Sequence, residues 1–434
     1  MRDSLPSTKK ISIRSVLNAI LFRCRLIGLA LSSRIRQCIV LSRIRSYDSN
    51  RKIRVLFLCS NVAKWKCQSV YTKMESSGVF EPIVVITALG EMGLRSDDEL
   101  LNVFNEADAF FEKLGNRHVR ACSLQPRRYG DLSILKPDVV FFPEPWEVRW
   151  PQTTREVSRF ALPCYVPYFV VAHVITEKQC DTIMHRYLFA YFTQNKYLAD
   201  IYEKAIPWLC RSYHTVPTGH PALDMLGASN SNGNTENVSE KIVIYAPHHS
   251  IAVYDHRHPD WRIGTFLETG KAILNYAKQH LDINWVFKPH PQLKRALREV
   301  GQWTEKEIDD YYLEWERIGS ICTDGSYQEL FLKSNAMITD CGSFLLEYGA
   351  TGKPLIHLVP NGAGMGISPH IKDLLDAYYR VETNEGLMMT LDMVLSKGED
   401  PKRPQRLAAL RKTGLLGVDA AQNIVDYLRK ELRR

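Results

Sequence analysis

The stretch ITDCGSFLLEYGATGKPLIHL, residues 338–358, joins two apolar runs of strand length through a turn and a helix-like segment. The first run stops at Thr339 and Asp340, and Ser343 follows after two small residues. A strand, a helix and a second strand in this order predict a βαβ unit with parallel strands. The carboxyl ends of such strands form a ligand crevice, where the start of a helix attracts phosphate. The same three polar residues also suit an ordinary helix N-cap, so this stretch alone leaves both interpretations open.

The alternation of strand and helix patterns runs along most of the chain. Residues 51–226 contain apolar runs such as KIRVLFLCSN and DVVFFPEP with helical patterns between them. Residues 227–240 are rich in Asn, Ser and Gly and indicate a linker. The pattern then restarts over residues 241–405, and residues 406–434 look like a basic C-terminal helix. We therefore predict an α/β protein with two Rossmann-like domains that face a cleft.

Composition supports a globular protein with two domains. The chain has 434 residues, 45% of them hydrophobic, which is enough for a large core. Its ten Cys are scattered singly without a C-x-x-C pair. This spacing argues against a disulfide framework or a zinc ribbon, and it favours reduced thiols in the cytoplasm.

The positive charge is concentrated in an N-terminal arm, residues 1–50. Residues 1–54 carry thirteen Lys or Arg against two Asp, a net charge of +11, whereas the whole chain carries +8. The longest uncharged runs in the arm are about eight residues long, and a membrane-spanning helix needs roughly 20. Arg is interleaved with apolar residues at helical spacing, such as Ile20, Ile27 and Leu31. We predict an amphipathic helix on the anionic inner face of the cell membrane; a transit peptide or a nucleic-acid-binding arm is the alternative.

Histidines follow two of the predicted strands in the second half. In NWVFKPHPQL, Lys288 and His290 come directly after an apolar run, and Pro289 and Pro291 restrict the backbone around His290. A histidine at this position can serve as an acid catalyst or bind phosphate. We prefer this interpretation to a purely structural loop histidine.

The segment YAPHHSIAVYDHRHPD, residues 245–260, contains four histidines. A metal site is one interpretation, but the segment lacks a defined ligand spacing such as H-E-x-x-H. We favour the alternative that His248 and His249 end a strand and face the same cleft as His290. The predicted site therefore contains no metal and no other cofactor.

The order of these motifs resembles the CDP-glycerol glycerophosphotransferase family, which includes teichoic-acid and capsule polymerases. The resemblance rests on TGHPALD, APHHS, KPHP and the stretch at 338–358, and it covers roughly residues 214–360. It implies a GT-B fold whose C-terminal domain binds a CDP-activated donor. It also implies a Thr-Asp-x-Ser-Ser turn, which Thr339, Asp340 and Ser343 match, whereas Gly342 replaces the first Ser.

The resemblance assigns further roles to single residues. Glu347 takes the acidic place after the turn and would reach a ribose hydroxyl, and His290 would stabilise the leaving group. The family has a Trp-His-Gly-Thr motif in the N-terminal domain that this sequence lacks, and His173 after an apolar run is the nearest candidate for its base. The predicted catalytic residues are His290 and His173, and the predicted donor-binding residues are Lys288, Thr339, Asp340, Ser343, Glu347, His248, His249 and Gly219.

The function implied is transfer of glycerol phosphate, or a related group, from a CDP-activated donor to a cell-surface polysaccharide or a lipid-linked acceptor. A GT-B nucleotide-sugar glycosyltransferase, or an enzyme like UDP-N-acetylglucosamine 2-epimerase, is an alternative that the sequence does not separate. A non-catalytic membrane-surface protein on a degenerate GT-B body is an alternative of another class. Nucleic acid is not expected as a partner, because the charge lies in the arm and not in the domains that form the cleft.

Overall fold

The computed structural model describes residues 13–48, 50–88, 95–145, 149–172, 182–227, 241–251, 264–323, 327–360 and 368–433. The candidate His173, the loop histidines His256 and His258, and all but the first residue of the predicted linker lie outside the described residues.

The first half of the chain forms a parallel sheet. The strands in this half are β1 (Ile53–Cys59), β2 (Phe80–Ile86), β3 (His118–Arg120), β4 (Cys122–Leu124), β5 (Arg127–Tyr129), β6 (Val139–Phe142), β7 (Leu162–Tyr165), β8 (Ala190–Thr193) and β9 (His214–Pro217). Seven of them form the sheet in the order β3-β2-β1-β6-β7-β8-β9, and β4 pairs with β5 in an antiparallel ribbon.

The second half of the chain forms a sheet of its own. Its strands are β10 (Lys241–Ala246), β11 (Ile283–Phe287), β12 (Gly319–Ile321), β13 (Ala336–Thr339), β14 (Leu355–Leu358) and β15 (Tyr379–Val381). Their order is β12-β11-β10-β13-β14-β15, and neighbouring strands are parallel.

Helices connect the strands and cover the sheets. They are α1 (Ile13–Arg45), α2 (Gln68–Ser76), α3 (Asp97–Lys113), α4 (Thr154–Val157), α5 (Lys196–Ala205), α6 (Pro221–Gly227), α7 (Phe266–Gln279), α8 (Leu293–Val300), α9 (Glu305–Ile318), α10 (Gln328–Lys333), α11 (Gly342–Glu347), α12 (Lys372–Asp376), α13 (Asn384–Leu391), α14 (Arg403–Lys412) and α15 (Ala420–Leu432).

The central strands are apolar throughout because both of their faces are buried. In β1, Val55 and Phe57 belong to the core on one face of the sheet, and Leu56 and Leu58 belong to the core on the other. Successive side chains of a strand point to opposite faces, so a strand covered on both sides needs a continuous apolar run. This accounts for runs such as IRVLFLC, and the predicted α/β class is confirmed.

Each sheet has one point where its strand order reverses. In the first sheet the strands run outward from the β1–β6 pair, and in the second they run outward from the β10–β13 pair. The connections on either side of such a point leave in opposite directions, which opens a crevice at the carboxyl ends of the two central strands. We call these two places the first and second switch points.

The C-terminal segment differs from the single helix predicted for residues 406–434. It contains part of α14 and all of α15, separated by a turn in which Gly414 and Gly417 have positive φ. The apolar face of α15, which includes Ile424 and Leu428, belongs to the core of the first sheet. The chain therefore returns from the second sheet to the first before it ends.

The N-terminal arm is helical as predicted, but part of it is built into the body. On α1, Val40 and Ile44 are buried in the core of the first sheet, and Gln37 Nε2 donates to the Leu188 carbonyl at 2.8 Å. The Arg43 guanidinium lies 3.1 Å from the Asp138 carboxylate. No helix in the described part of the chain has the length and apolar character needed to cross a membrane.

Candidate active site

The candidate site lies at the second switch point. His248 and His249 follow β10, His290 follows β11, and Asp340 follows β13. The three strands are neighbours in the sheet, so their carboxyl ends meet at one edge. The histidines predicted to share a cleft are therefore brought together.

The three imidazole rings form a compact cluster, which we call the histidine cluster (His248, His249 and His290). The ring centroids of His249 and His290 are 3.9 Å apart, and those of His248 and His290 are 5.0 Å apart. The backbone N–H of His290 donates to the Pro247 carbonyl at 3.0 Å, which ties the KPHP turn to the end of β10. The turn that the two prolines restrict thus holds His290 against the other two rings.

Backbone hydrogen bonds set the tautomers of two cluster members. His290 Nδ1 accepts from the Gln292 N–H at 3.1 Å, and His248 Nδ1 accepts from the Ser250 N–H at 3.2 Å. A neutral imidazole whose Nδ1 accepts carries its proton on Nε2. Both residues therefore carry the imidazole proton on Nε2, where it can be donated in a hydrogen bond.

The same hydrogen bonds indicate whether the histidine cluster is suited to a metal ion or to an anion. The histidine cluster is the one group of residues in the described ranges with the spacing to hold a metal, since its ring nitrogens lie within 4.8 Å of one another. Ligation through Nε2 would put the proton on Nδ1, where it would face the backbone N–H groups that now donate to it. The arrangement therefore fits an anion that accepts from the Nε2–H groups better than it fits a metal ion.

Burial favours the neutral form of two members of the cluster, His290 and His249. It lowers the pKa of His290 to about 3, and the neighbouring His249 and Lys288 act in the same direction. Burial also lowers the pKa of His249. At neutral pH His290 is thus a neutral hydrogen-bond donor, and the cationic charge beside it belongs to Lys288.

Thr339 and Asp340 are occupied within the protein. The Thr339 hydroxyl donates to the Ala246 carbonyl at 2.7 Å. The Asp340 carboxylate accepts from the backbone N–H of His248 and of Thr265, each at 2.6 Å, and from the Thr265 hydroxyl at 3.0 Å. Burial raises the pKa of Asp340 to about 6. The two residues hold the loops after β10 and before α7 in place, and any effect on a donor passes through those loops.

Ser343 remains available at the start of α11. Its side chain is half-buried, and its hydroxyl lies 3.5 Å from the Cys341 thiol. The helix has only six residues, so the first-turn N–H groups and the Ser343 hydroxyl, and not a long helix dipole, would contact a phosphate. The prediction for Ser343 stays a prediction with a compatible geometry.

Glu347 lies in a buried polar cluster that joins the two halves of the chain. Its carboxylate accepts from the Tyr327 hydroxyl at 2.5 Å and lies 3.6 Å from the Lys66 ammonium. Lys66, which follows β1, also donates to the Tyr327 hydroxyl. The Lys66 and Lys288 ammonium groups lie 4.6 Å and 4.9 Å from the Tyr327 ring centroid. A ribose hydroxyl would have to compete with Tyr327 for Glu347, so the predicted ribose contact stays a prediction.

Gly219 has a different environment from the other predicted donor-binding residues. Its φ is +90°, and an added Cβ would lie 2.7 Å from Val418 Cγ1 and 3.0 Å from Ala420 Cβ. The absence of a side chain therefore lets the turn after β9 approach the start of α15. This contact explains the glycine by packing and does not connect it with the histidine cluster.

The first switch point carries a polar group that the sequence did not reveal. The Glu144 carboxylate, two residues after β6, accepts from the Ser60 hydroxyl at 2.6 Å and from the Lys64 ammonium at 2.8 Å. Glu144 is 2% exposed and Lys64 is 30% exposed. The available signal was position alone, because Ser60 and Glu144 each follow an apolar run of strand length.

Comparison with a protein-family model identifies the central part of the chain. Residues 173–363 match the model described as CDP-Glycerol:Poly(glycerophosphate) glycerophosphotransferase. The match includes the whole histidine cluster and α11. No curated protein sequence matches the chain significantly.

Solved structures with similar folds belong to two groups. A variant of the wall teichoic acid polymerase TagF is 13% identical over 96% of this chain and 98% of that chain, with a TM-score of 0.53. A putative UDP-N-acetylglucosamine 2-epimerase from Listeria monocytogenes is 14% identical over 88% of this chain and 96% of that chain, with a TM-score of 0.52. UDP-GlcNAc 2-epimerase from Neisseria meningitidis bound to UDP-GlcNAc is 14% identical over 88% of this chain and 100% of that chain, with a TM-score of 0.50.

At these identities the structural likeness shows the fold, and it confirms the predicted GT-B architecture. The fold is therefore of the GT-B type, with two Rossmann-like sheets. Within that class, the match over residues 173–363 confirms the family resemblance. Over these residues the chain is similar to the CDP-glycerol glycerophosphotransferases.

Proposed function

We propose that the protein transfers glycerol phosphate from CDP-glycerol to a hydroxyl of a cell-surface polysaccharide or a lipid-linked acceptor. The observation that carries the proposal is that the segment matching the glycerophosphotransferase model, residues 173–363, contains the whole histidine cluster. Each of the two sheets would bind one substrate. Residues 241–405 would bind the donor, and residues 51–226 would bind the acceptor.

The geometry of the second switch point suits the leaving side of this reaction. The acceptor oxygen attacks the phosphorus that bears glycerol, and CMP leaves with the bridging oxygen. His248 and His290 would donate through Nε2–H to the diphosphate oxygens, and Lys288 would supply positive charge where negative charge develops. Enzymes accelerate phosphoryl transfer mainly by positioning and electrostatic stabilisation, which fixed donors in a partly buried site provide.

The enzyme would work at the inner face of the cell membrane, where a lipid-linked acceptor is within reach. Support comes from the exposed side of α1, where Leu31, Ile35 and Ile39 face away from the body. The exposed Trp208 lies beside this helix, with its ring centroid 4.8 Å from the Arg34 guanidinium carbon. Apolar side chains, a tryptophan and interleaved arginines together suit an anionic bilayer surface.

Donor binding tests the proposal directly. In calorimetry we expect CDP and CDP-glycerol to bind the full-length protein about 10-fold or more tightly than UDP, a difference of about 1.4 kcal/mol or more. Incubation with CDP-glycerol and an acceptor membrane fraction should release CMP. Clear UDP binding without CDP binding would overturn the assignment of the donor and would favour the epimerase or sugar-transferase alternatives.

A further inference from the structure

A buried polar cluster connects the two halves of the chain next to the histidine cluster. Its members, which we call the interdomain cluster, are Lys66, Lys288, Tyr327 and Glu347. Each of these residues is at most 8% exposed. Lys66 follows β1 in the first half, whereas the other three belong to the second half. The surroundings of Lys288 therefore include a residue of the first half.

Glu347 is enclosed by this cluster. Its side chain is 2% exposed, and its Oε2 accepts from the Tyr327 hydroxyl at 2.5 Å and lies 3.6 Å from the Lys66 ammonium. A buried carboxylate is costly unless it is paired and hydrogen-bonded, and these two contacts provide both. A ribose hydroxyl could reach so enclosed a carboxylate only after the surrounding side chains had moved. The contacts therefore favour a role for Glu347 inside the protein over a contact with a ligand.

The Tyr327 hydroxyl is held from two sides. Burial and the neighbouring Glu347 carboxylate raise the pKa of Tyr327 well above its usual range, so the phenol keeps its proton. The hydroxyl therefore donates a hydrogen bond to Glu347 and accepts one from the Lys66 ammonium. The ring packs against Phe331 and Phe344, whose ring centroids are 4.8 Å and 5.2 Å away. The position of the ring is thus set by packing and by the two charged groups at its hydroxyl.

The Tyr327 ring in turn contacts Lys288. The Lys288 ammonium lies 4.9 Å from the ring centroid, and the attraction between a cation and a ring face is strongest where water is excluded. Lys288 comes two residues before His290, and its charge helps to lower the pKa of that histidine. The charge of Lys288 therefore acts on the histidine cluster. A displacement of the Tyr327 ring would move this charge.

We propose that Lys66 and Glu347 are positioning residues of the donor site. They fix the Tyr327 hydroxyl, the Tyr327 ring fixes the Lys288 ammonium, and Glu347 makes no contact with the donor ribose. The proposal rests on the proposed function in one respect, which is that the second switch point binds a nucleoside diphosphate. Donor affinity then depends on Lys66, a residue of the half that the proposed function assigns to the acceptor.

The test is calorimetry on the full-length protein with two probes, CDP and 2′,3′-dideoxy-CDP, which lacks both ribose hydroxyls. Glu347→Gln and Lys66→Met should each weaken CDP binding about 10-fold, because the Lys288 ammonium loses its fixed position. Each variant should weaken the binding of dideoxy-CDP by the same factor. The ratio of the two affinities should therefore equal that of the wild type.

A ribose contact predicts a different result for Glu347→Gln. The variant would lose affinity for CDP only, and the ratio of the two affinities would fall toward unity. That outcome would overturn the proposal. Normal CDP binding in either variant would also overturn it and leave the proposed function standing, because a residue that only stabilises the fold leaves the affinity for a ligand unchanged.

The double variant Lys66→Met/Glu347→Gln shows whether the two residues act through the same side chain. It removes both charges and leaves no unpaired buried carboxylate, so it should fold even where a single variant does not. Its loss of CDP affinity should be about 10-fold, the same as that of each single variant, because all three variants loosen Tyr327. Independent action would give the product of the two losses, about 100-fold, and would contradict the proposal.

Two ion pairs at the surface supply matched controls. Lys73 on α2 pairs with Asp419, and Glu329 on α10 pairs with Lys333. Lys73→Met and Glu329→Gln make the same changes of charge in the two halves, and they should bind both nucleotides as the wild type does. A loss of the same size in these variants would attribute the effect to net charge and would overturn the proposal.

The outcomes separate this proposal from the proposed function. If the wild type binds UDP and not CDP, the donor assignment fails, and UDP with 2′,3′-dideoxy-UDP decides the proposal by the same criteria. If neither nucleotide binds, the proposed function fails, and urea unfolding of the same variants decides the positioning of Tyr327. The unfolding equilibrium constant of the double variant should then differ at least about 10-fold from the value that independent single effects give. Independent effects would overturn the proposal.

Discussion

Asp340 illustrates how a residue in a predicted ligand position can act through the backbone. Its carboxylate accepts from the N–H groups of His248 and Thr265, which belong to two different loops. An uncompensated buried carboxylate is costly, and these bonds offset the loss of its hydration. Asp340 therefore fixes the main chain of His248 and, with it, the position of this ring in the histidine cluster.

The tautomer of His290 leads to a prediction that separates two catalytic roles. Under the proposed function, His290→Ala should lower kcat about 100-fold, because it would remove a hydrogen-bond donor to the diphosphate. His290→Gln should recover a substantial part of that loss, because the glutamine amide N–H₂ can occupy the place of Nε2–H. A general acid must release a proton, and glutamine cannot do so. Steady-state kinetics with CDP-glycerol measures both variants, and exposed His214→Ala is the control.

The pH dependence of kcat/KM gives a second test of the role of His290. Because burial lowers the pKa of His290 to about 3, its ionisation should not appear as a kinetic pKa between pH 5 and 8 in kcat/KM. Equal inactivity of the alanine and glutamine variants, with a kinetic pKa near 6.5 that both remove, would contradict hydrogen-bond donation and indicate acid catalysis.

At the residue scale the sequence predicted the histidine cluster but missed its surroundings. Strand-length runs followed by His248 and His290 placed both histidines at strand ends, and parallel strands bring their ends together. Lys66, Tyr327 and Glu144 gave no comparable signal, because their roles depend on contacts between distant parts of the chain. Glu347 lies within a predicted motif, but the Tyr327 hydroxyl that contacts it lies 20 residues earlier.

At the element scale, α1 packs against the body on one side and presents exposed apolar residues on another, and the sequence pattern could not separate the two sides. The helical spacing and the arginines were visible, and they predicted an amphipathic helix. The sequence did not show which side of α1 faces the protein, because the helix has apolar residues on more than one side. Several of its arginines contact the body through carbonyl groups, hydroxyls and a carboxylate: Arg34, Arg36, Arg43 and Arg45.

A test of membrane binding by α1 therefore has to use substitutions and keep the helix in place. A chain that begins at Arg51 would lose the buried Val40 and Ile44 and would expose the core of the first sheet. We expect Ile35→Asp combined with Ile39→Asp to weaken binding to vesicles that contain phosphatidylglycerol about 10-fold or more, because it removes two exposed apolar side chains and adds two negative charges. Sedimentation with vesicles of defined composition measures the change.

The control and the salt dependence sharpen this test. Ile134 is 76% exposed on the turn after β5, so Ile134→Asp replaces an exposed apolar side chain with one negative charge at another place and should leave binding unchanged. High salt should weaken wild-type binding only in part, because burial of apolar groups is not screened. If the double variant pellets as the wild type does, α1 does not carry the membrane contact.

At the scale of the whole molecule, the sequence predicted the two sheets. It did not predict that the C-terminal helix α15 packs against the first sheet. Alternating strand and helix patterns indicate parallel sheets wherever they occur. The segment that includes α15 was recognisable as a helix, but an amphipathic pattern indicates only that one face is buried. Its position against the first sheet involves contacts with distant residues, including Asp224 of α6, whose carboxylate accepts from the N–H groups of Ala420 and Ala421.

Buried histidines in both halves predict that acid destabilises the whole protein. Burial lowers the pKa of His185, His220 and His370 to about 4 and that of His290 to about 3. The unfolded chain binds these protons near pH 6.5, so it binds more protons than the folded chain between about pH 6.5 and pH 4. The contribution of these histidines to the free energy of unfolding is therefore fully present above pH 6.5, and it is lost as the pH decreases toward 4. Asp340, whose pKa rises to about 6, acts in the opposite direction and offsets part of the loss.

A single substitution isolates one histidine in this response. His220 Nε2 lies 2.9 Å from the Pro167 carbonyl, and Nδ1 accepts from the Ala222 N–H at 3.2 Å. A pKa of about 4 against 6.5 in the unfolded chain corresponds to about 2 kcal/mol at pH 5. His220→Gln should be less stable at pH 7, but its loss between pH 7 and pH 5 should be smaller than that of the wild type by about this amount. Urea unfolding at both pH values measures the difference, with exposed His214→Gln as control, and parallel losses in all three proteins would contradict the assignment.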